Sequence, residues 1–159
     1  RGCILLDYRL AEAKDAGLIH AMLAEMADAE GAQIGSSAES LVRHGFGATP
    51  RFRVILAEEQ GRALGFCLFL PEYSSWRGVM GVFVQDIYLN HAARGKGLGR
   101  GLLAAALAAA EDWEPQFMAL MVKRSNVMAI GFYQTLGFEL RDTADPLLLS
   151  GAGLAALRS

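Results

Sequence analysis

The sequence predicts an α/β fold in which helices flank a mixed, mostly antiparallel β-sheet. Apolar residues recur at helical spacing in some segments and form short β-like runs in others. The two kinds of segment follow the order β-α-α-β-β-β-α-β-α-β-β. In addition, 53% of the 159 residues are hydrophobic, which suits one domain of ordinary size with a buried core. We therefore predict a single domain over residues 1–159.

The first half of the chain predicts a strand, two helices and a hairpin. Leu18, Ile19 and Met22 recur at helical spacing, which indicates an amphipathic helix. Gly61 in a short polar stretch between two apolar runs indicates a hairpin turn. The predicted elements are strand 4–9, helix 15–30, helix 38–46, strands 53–58 and 63–70 joined at 59–62, and an irregular excursion over 71–78.

The second half begins with a long central strand and ends with shorter elements. Asn126 is a good N-cap, and Gly137 suits the end of the helix that Asn126 begins. Ala129, Ile130 and Tyr133 lie on the apolar stripe of that helix, together with a leucine one turn later. The predicted elements are strand 79–89, a helix from residue 98, strand 117–122, the helix from 126, and strands 138–141 and 147–150.

A glycine-rich, cationic turn connects the central strand to the helix that follows it. The segment Arg94-Gly95-Lys96-Gly97-Leu98-Gly99-Arg100 lies directly before a strong helix former. The first amide groups of a helix lack partners and its dipole is positive there, so this end attracts phosphate. Arg94, Lys96 and Arg100 add cations that can pair with phosphate oxygens. The turn is a candidate phosphate-binding site.

The spacing of the glycines excludes two common phosphate motifs. A P-loop needs a hydroxyl residue directly after its lysine, and Lys96 is followed by glycine. The dinucleotide fingerprint needs Gly-x-Gly-x-x-Gly, but its third glycine would fall on Arg100 or Leu102.

The remaining pattern, Arg94-x-x-Gly97-x-Gly99, resembles the pyrophosphate motif of the GNAT family of N-acetyltransferases. The downstream segment Asn126-x-x-Ala129-x-x-x-Tyr133 is similar to a second motif of that family. Within the family, the segments around 39–47, 73–78 and 85–89 resemble the diamine branch, which includes spermidine/spermine and thialysine acetyltransferases. The resemblance implies a GNAT-like acyl-CoA N-acyltransferase fold and the cofactor acetyl-CoA.

The resemblance also implies which residues bind coenzyme A. The turn suits the pyrophosphate, and the backbone at the end of the central strand suits the pantetheine arm, which pairs there like an extra strand. The implied cofactor contacts are Ile87, Tyr88, Leu89, Arg94, Gly95, Lys96, Gly97, Leu98, Gly99, Arg100, Asn126, Ala129 and Tyr133. A homodimer is implied as well.

The catalytic candidates are Tyr133, Asp86 and Gln85. The resemblance places Tyr133 beside the sulfur, where a phenol is a sensible proton donor. The diamine branch carries Glu-Asp in the central strand, whereas this chain has Gln85-Asp86. A glutamine cannot accept a proton, although it can hold a water. Asp86 is equally well interpreted as the base or as a structural acceptor, and Glu30 and Glu72 are further options.

The acceptor site is less clearly marked than the cofactor site. Glu30, Trp76 and Gln85 are the candidate substrate-binding residues, the first from its match to an acidic position of the family's amine site. The loop over 31–37 is nearly uncharged, and the tail at 145–147 lacks the aromatic residue expected of polyamine enzymes. A small amine or a thialysine-like acceptor therefore fits as well as a polyamine.

Composition limits the other partners. The net charge of −2 argues against nucleic acid as the main partner. No apolar run approaches the length of a membrane span, and the three histidines show no metal-ligand spacing. Cys3 and Cys67 are unrelated in position, which suits a reduced, cytoplasmic protein.

The predicted function is direct transfer of an acetyl group from acetyl-CoA to a primary amine of a small molecule, in a ternary complex. Two alternatives stay open. Gln85, in the place of an acid, leaves room for a catalytically weakened module that binds or senses acyl-CoA. A protein or peptide N-acetyltransferase is the other alternative.

Overall fold

A computed structural model of the chain describes residues 5–141 and 147–158. These residues form two compact units, one that ends at Met121 and one that begins at Val122. The elements are β1 Leu6–Leu10, α1 Ala16–Ala29, α2 Ala38–Gly45, β2 Arg53–Glu59, β3 Arg62–Ser74, β4 Val79–Leu89, α3 Leu98–Ala108, β5 Met118–Leu120, α4 Val127–Thr135 and α5 Gly151–Arg158. The predicted single domain stays a prediction.

The five strands of the described residues form one sheet in the order β1-β2-β3-β4-β5. Neighbouring strands are antiparallel except β4 and β5, which are parallel. The parallel pair follows from the connection through α3, because a parallel neighbour needs a crossover rather than a hairpin. The predicted fold class, a mixed and mostly antiparallel sheet flanked by helices, is confirmed.

Helices α1 and α2 cover one face of the sheet, which we call the α1 face. Ile19 and Leu23 of α1 and Leu41 of α2 pack there in one buried cluster. The sheet contributes alternate residues of two neighbouring strands to that cluster: Val54, Leu56, Phe66 and Leu68. This alternation fixes the direction of each side chain in β2 and β3.

Helix α3 covers the opposite face, which we call the α3 face. It contacts β1, β2, β3 and β4. The rings of Phe69 and Trp113 lie 5.8 Å apart on this side. The guanidinium of Arg53 lies 4.4 Å from the Trp113 ring and donates to the carbonyl of Ala109, at the end of α3. Strand β3 lies between these two layers, so its even-numbered and odd-numbered side chains face different layers.

Strand β3 is longer than the sequence predicts. It continues to Ser74, and Pro71 pairs with Val82 of β4, so the predicted excursion over 71–78 is wrong for its first half. Strand β2 stops pairing with β3 at Phe69, which leaves β3 with one free edge beyond that point. A proline lacks an N–H group and is tolerated on such an edge.

Two predicted strands of the second unit are also wrong. Residues 138–141 and 147–150 adopt neither helix nor strand. The helix α5, over Gly151–Arg158, was not predicted at all. These runs are too short to show a period, so their apolar residues alone do not establish a strand.

A network of salt bridges connects β1 to β2 and to the turn before α1. Arg9 donates to Asp15 at 2.8 Å and to Glu58 at 2.8 Å. The side chain of Asp15 is only 8% exposed, and the hydrogen bond from Arg9 lowers its pKa despite that burial. We expect Asp15→Asn to lower the free energy of unfolding by about 2 kcal/mol at neutral pH, the value of a charge-assisted hydrogen bond. Urea denaturation measures this loss.

The lowered pKa of Asp15 also determines how the loss of stability in Asp15→Asn depends on pH. The stabilisation by Asp15 is present above the pKa of an unfolded aspartate, about 4, and disappears as the pH falls through the lower pKa of the folded state. The difference between wild type and Asp15→Asn should therefore shrink in acid. Glu139→Gln, which removes the exposed pair with Arg141, is the control and should change stability little. An equal loss in both variants would contradict the assignment.

Candidate active site

The turn before α3 presents backbone donors to solvent. Gly97 caps the helix in the left-handed conformation, with φ of 78°, and no side chain caps this end. Gly95 is also left-handed, with φ of 74°, and neither glycine has a heavy atom within 4 Å of the position a Cβ would take. The surface above both residues is therefore open. Successive donors in this arrangement form a concave site for an anion.

The turn is tied to the ends of β3 and β4. The Asn90 side chain accepts from the amide of Ala93 at 2.9 Å, while its own amide donates to the carbonyl of Leu64 at 2.8 Å. The Nε of Arg94 donates to the carbonyl of Leu89 at 3.0 Å. Arg94 thus holds the turn against the last residue of β4. Lys96 and Arg100 are exposed beside it.

Strand β4 has a free edge next to this turn. Strand β5 pairs with β4 only over Val82–Val84, whereas β4 continues to Leu89. No strand of the described residues pairs with that side of β4 beyond Val84. This edge of β4, which includes the predicted contacts Ile87 and Tyr88, can pair with an extended ligand, whereas the carbonyl of the predicted contact Leu89 already accepts from Arg94.

A β-bulge at Gln85 reverses the faces of β4. Val84 lies opposite Phe69, but Asp86 lies opposite Leu68, so Gln85 is the extra residue. Directly opposed residues of an antiparallel pair share a face. Val84 is consequently on the α3 face and Asp86 is on the α1 face. Gln85 itself is exposed.

The carboxyl group of Asp86 is in an environment that favours its protonated form. It is partly buried, and burial, followed by the negative charge of Glu30, raises the pKa of Asp86. Glu30 caps the C-terminal end of α1, and α1 contacts β4. A carboxylate with a raised pKa is a better proton acceptor than an ordinary aspartate. Glu30 thus acts electrostatically on Asp86, while the roles of both residues in the reaction and the acceptor site stay predictions.

Tyr88 connects β4 to α1 through a contact that the sequence analysis missed. Its hydroxyl donates to the carboxylate of Glu25 at 2.7 Å, and its ring lies 6.2 Å from that of Phe66. Only the backbone of Tyr88 was assigned a role from the sequence. Tyr88 lies two residues after Asp86 and hence on the same α1 face. This spacing could have predicted the contact with α1 if the bulge had been recognised from the sequence.

Trp76 and Glu72 belong to the hairpin between β3 and β4. Trp76 is 99% exposed in its turn, at the end of β4 remote from the phosphate turn. The structure gives it no contact with Asp86 or Glu30. Glu72 is half-buried and lies opposite Gly81.

The second unit contains the downstream motif. Asn126 caps α4 and accepts from the amide of Ala129 at 3.2 Å, as predicted. Tyr133 is half-buried between two aromatic rings, at 5.3 Å from Phe132 and 5.5 Å from Phe138. Gly137 follows the helix with φ of 95°, which confirms it as the C-terminal stop. The capped helix and its aromatic contacts fix the orientation of the Tyr133 ring within this unit.

Three further observations concern the described residues. No group of three or more histidine, cysteine, aspartate or glutamate side chains could hold a metal ion there. None of the described helices combines the length and the apolar character that a bilayer crossing requires. Cys67 is buried, and burial raises its pKa to about 12, so its thiol is a poor nucleophile.

Comparison with known sequences gives the family. A sequence model of the acetyltransferase (GNAT) family matches residues 19–138. The chain is 32% identical over 139 residues to the thialysine N-epsilon-acetyltransferase of Sus scrofa, covering 81% of each protein. It is 28% identical over 144 residues to the spermidine/spermine N(1)-acetyltransferase-like protein 1 of Homo sapiens, covering 83% of this chain and 21% of that protein.

Solved structures share the fold. An integron cassette protein of V. cholerae superposes with a TM-score of 0.77 at 21% identity, covering 96% of this chain and 97% of that one. The aminoglycoside N-acetyltransferase AAC(6')-Iy in complex with CoA gives a TM-score of 0.72 at 17% identity, with coverage of 96% and 97%. With the phosphate turn, the free edge of β4 and the sequence matches together, the chain belongs to the GNAT family of acetyltransferases and is an acetyl-CoA-dependent N-acetyltransferase.

Proposed function

We propose that this enzyme transfers the acetyl group of acetyl-CoA directly to a primary amine of a small molecule, within a ternary complex. The observation that carries the proposal is the position of Asp86. The bulge at Gln85 turns its carboxyl group to the α1 face, where burial and Glu30 raise its pKa. The names of relatives that act on thialysine and on spermidine or spermine support an amine acceptor.

An amine acceptor presents a proton problem that Asp86 addresses. An alkyl ammonium with a pKa of about 10.4 is neutral in roughly one molecule in 2,500 at neutral pH, a handicap of about 4.6 kcal/mol. A base at the site removes this proton as the acceptor docks. Asp86 accepts the proton, directly or through a water held by Gln85. The negative charges of Asp86 and Glu30 also attract the incoming ammonium.

The residues present fit coenzyme A. The left-handed glycines at 95 and 97 offer backbone donors for the pyrophosphate, and Arg94, Lys96 and Arg100 offer positive charge. The free edge of β4 offers main-chain hydrogen bonds to the pantetheine arm. When bound, the cofactor supplies a thioester whose acetyl carbon accepts the nitrogen of the amine.

Tyr133 is the proposed proton donor of the reaction. Its ring is oriented by Phe132 and Phe138 in α4 and the residues after it. A phenol supplies a proton to a departing thiolate without carrying a charge of its own. Asn126 and Ala129 are proposed to contribute to the cofactor site through the beginning of the same helix, and Glu30, Gln85 and Trp76 to the acceptor site.

The experiment that tests the proposal is thiol release from acetyl-CoA by the purified protein. The acceptors are spermidine, putrescine, thialysine, lysine, a set of simple alkyl amines and a peptide panel. We expect turnover with small amines. Turnover restricted to peptides would replace the proposal with a peptide N-acetyltransferase. Thermal stabilisation by acetyl-CoA without thiol release on any acceptor would replace it with an acyl-CoA-binding module.

The phosphate turn has its own test. We expect Gly97→Ala to raise the KM for acetyl-CoA at least about tenfold, because the left-handed backbone costs an alanine about 1–2 kcal/mol and the turn would relax. Gly61→Ala is the matched control, since Gly61 has φ of 75° and equally open space at its Cβ position. Both variants should lose similar stability in thermal melts. A normal KM in Gly97→Ala, or the same rise in Gly61→Ala, would contradict the assignment.

The homodimer implied by the resemblance and the cytoplasmic location predicted from the two cysteines stay predictions. Sedimentation of the purified protein at several concentrations tests the first.

A further inference from the structure

A small cavity lies beside the phosphate turn, away from the proposed acceptor site. It has a volume of about 310 Å³ and opens to solvent. This volume is at the lower end of the range for small-molecule sites, about 300 to 1,000 Å³. The walls of the cavity come from the beginning of β1, from the hairpin that joins β2 to β3, and from the segment over 90–98. The cavity therefore has the size of a site for a small ligand.

The register of three strands places this cavity on the α3 face. Leu56 of β2 packs in the cluster of the α1 face, so Glu59, three residues later in the same regular strand, is on the α3 face. Leu6 of β1 and Arg62 of β3 lie directly opposite Glu59 and share its face. Asp86 is on the α1 face. The cavity and the proposed acceptor site are thus on opposite sides of the sheet.

Three charged side chains line the cavity, and none of them is in an ion pair. Arg62 and Lys96 are exposed cations, and Glu59 is a half-buried carboxylate. No salt bridge between the residues that the structure describes involves any of the three, although Glu59 and Arg62 are direct cross-strand neighbours. The cavity therefore offers two positive charges and one negative charge to a ligand. A zwitterion, with a carboxylate for the cations and an ammonium group for Glu59, can satisfy all of them.

The uncharged part of the wall is apolar. Leucine side chains come from three separate elements or segments: Leu6, Leu64 and Leu98. Leu98 is buried at the beginning of α3, whereas Leu6 is 42% exposed. Covering an exposed leucine with an apolar group is favourable, because apolar surface is removed from water. The ligand that fits this wall therefore carries a short apolar group beside its two charges.

We infer that this cavity binds an α-amino acid with an apolar side chain. The carboxylate lies at Arg62 and Lys96, the ammonium group at Glu59, and the side chain against the leucines. The inference goes beyond the proposed function, because the amino acid lies across the sheet from Asp86 and is not the acetyl acceptor.

The test measures binding to the purified protein without acetyl-CoA, by calorimetric titration. The probes are leucine and three compounds that each lack one of its parts: 4-methylpentanoate lacks the amino group, 3-methylbutylamine lacks the carboxylate, and alanine lacks most of the apolar side chain. We expect leucine to bind at least about tenfold more tightly than each of the others, because each leaves one part of the cavity without a partner. Equal affinity for all four compounds, or no binding of leucine, would overturn the inference.

Variants locate the bound leucine. Arg62→Gln should weaken leucine binding at least about tenfold and leave kcat/KM for amine acetylation unchanged. Glu59→Gln should weaken the binding of leucine but not that of 4-methylpentanoate. The control is Arg43→Gln, which removes an exposed cation of α2 and should keep full affinity for leucine. Full affinity in Arg62→Gln, or a loss of affinity in Asp86→Asn, would place leucine elsewhere and overturn the inference.

The outcomes are independent of the proposed function, because leucine binding is measured without turnover. Failure of every amine to release thiol would overturn the proposed acetyl transfer and leave the amino-acid site intact. Should Arg62→Gln not fold, the backbone amide chemical shifts of the wild type decide. Changes on addition of leucine at Leu64, Ala92 and Ala93, which line the cavity, support the inference, and changes confined to Glu30 and Asp86 overturn it.

Discussion

Asp86→Asn is expected to lower kcat for amine acetylation by about 10²- to 10⁴-fold, the usual contribution of a general base. Asparagine has the same shape but cannot accept a proton, so the affinity for acetyl-CoA should stay unchanged. Steady-state kinetics with a small amine and calorimetric titration of acetyl-CoA measure the two quantities. Asp28→Asn, which alters an exposed carboxylate of α1, is the control and should keep full activity.

The pH profile provides a second readout for the same variant. Burial and Glu30 raise the pKa of Asp86, so the acid limb of wild-type kcat/KM should lie above the ordinary aspartate range near pH 4. Activity should fall as the pH drops through that raised pKa, because the protonated carboxyl group cannot act as a base. The limb should be absent from the residual activity of Asp86→Asn. Normal turnover in the variant would assign the base to another residue.

The same substitution should stabilise the protein. A carboxyl group whose pKa is raised by folding holds its proton more tightly in the folded state, so it lowers stability as the pH rises from the unfolded pKa through the folded one. Asp86→Asn removes this penalty at neutral pH and changes little in acid. Thermal melts at both pH values show whether activity and stability move in opposite directions, as expected of a functional group held in an unfavourable environment.

Tyr133→Phe is expected to lower kcat by about 10²-fold or more and to spare acetyl-CoA binding. The variant keeps the ring that packs between Phe132 and Phe138 but loses the hydroxyl proton. The control is Tyr73→Phe, because Tyr73 is 64% exposed in the β3–β4 hairpin and has no proposed part in the reaction. Unchanged turnover would remove the acid role from Tyr133. Loss of cofactor affinity with unchanged kcat would assign it a binding role instead.

The helix and strand boundaries that sequence predicts well are those with strong local signals. The central strand β4 over Val79–Leu89 has the predicted bounds, since small and polar residues mark both of its ends. The N-cap at Asn126 and the stop at Gly137 are likewise local effects of side-chain chemistry. These features depend on a few neighbouring residues, so a single sequence suffices to place them.

Features that depend on pairing between distant segments were harder to predict. Pro71 looks like the end of a strand, and only the point at which β2 stops pairing explains why the strand continues. The bulge at Gln85 has only a weak effect on the sequence pattern. The apolar residues on the α3 face are the even-numbered Val82 and Val84 before the bulge and the odd-numbered Ile87 after it. This change does not distinguish a bulge from an ordinary lapse in alternation.

The candidate site likewise contains some features that depend on neighbouring residues and others that depend on distant segments. The phosphate turn could be predicted because its glycines and cations are adjacent in the sequence. The environment of Asp86 could not, since Glu30 and Glu25 approach β4 from a helix more than fifty residues earlier in the chain.

The bulge at Gln85 divides β4 into two stretches in which the even-numbered side chains lie on opposite faces of the sheet. Before it, even-numbered positions such as Val82 and Val84 are buried on the α3 face and serve folding. After it, even-numbered positions such as Asp86, the proposed base, and Tyr88, which donates to Glu25, face α1. Along this strand, the face that a given even or odd position occupies, and with it the substitutions the position tolerates, should therefore switch at Gln85. Deleting Gln85 would therefore make the ladder regular and still leave Asp86 opposite Leu68 on the α1 face, because Gln85 has no partner of its own in β3.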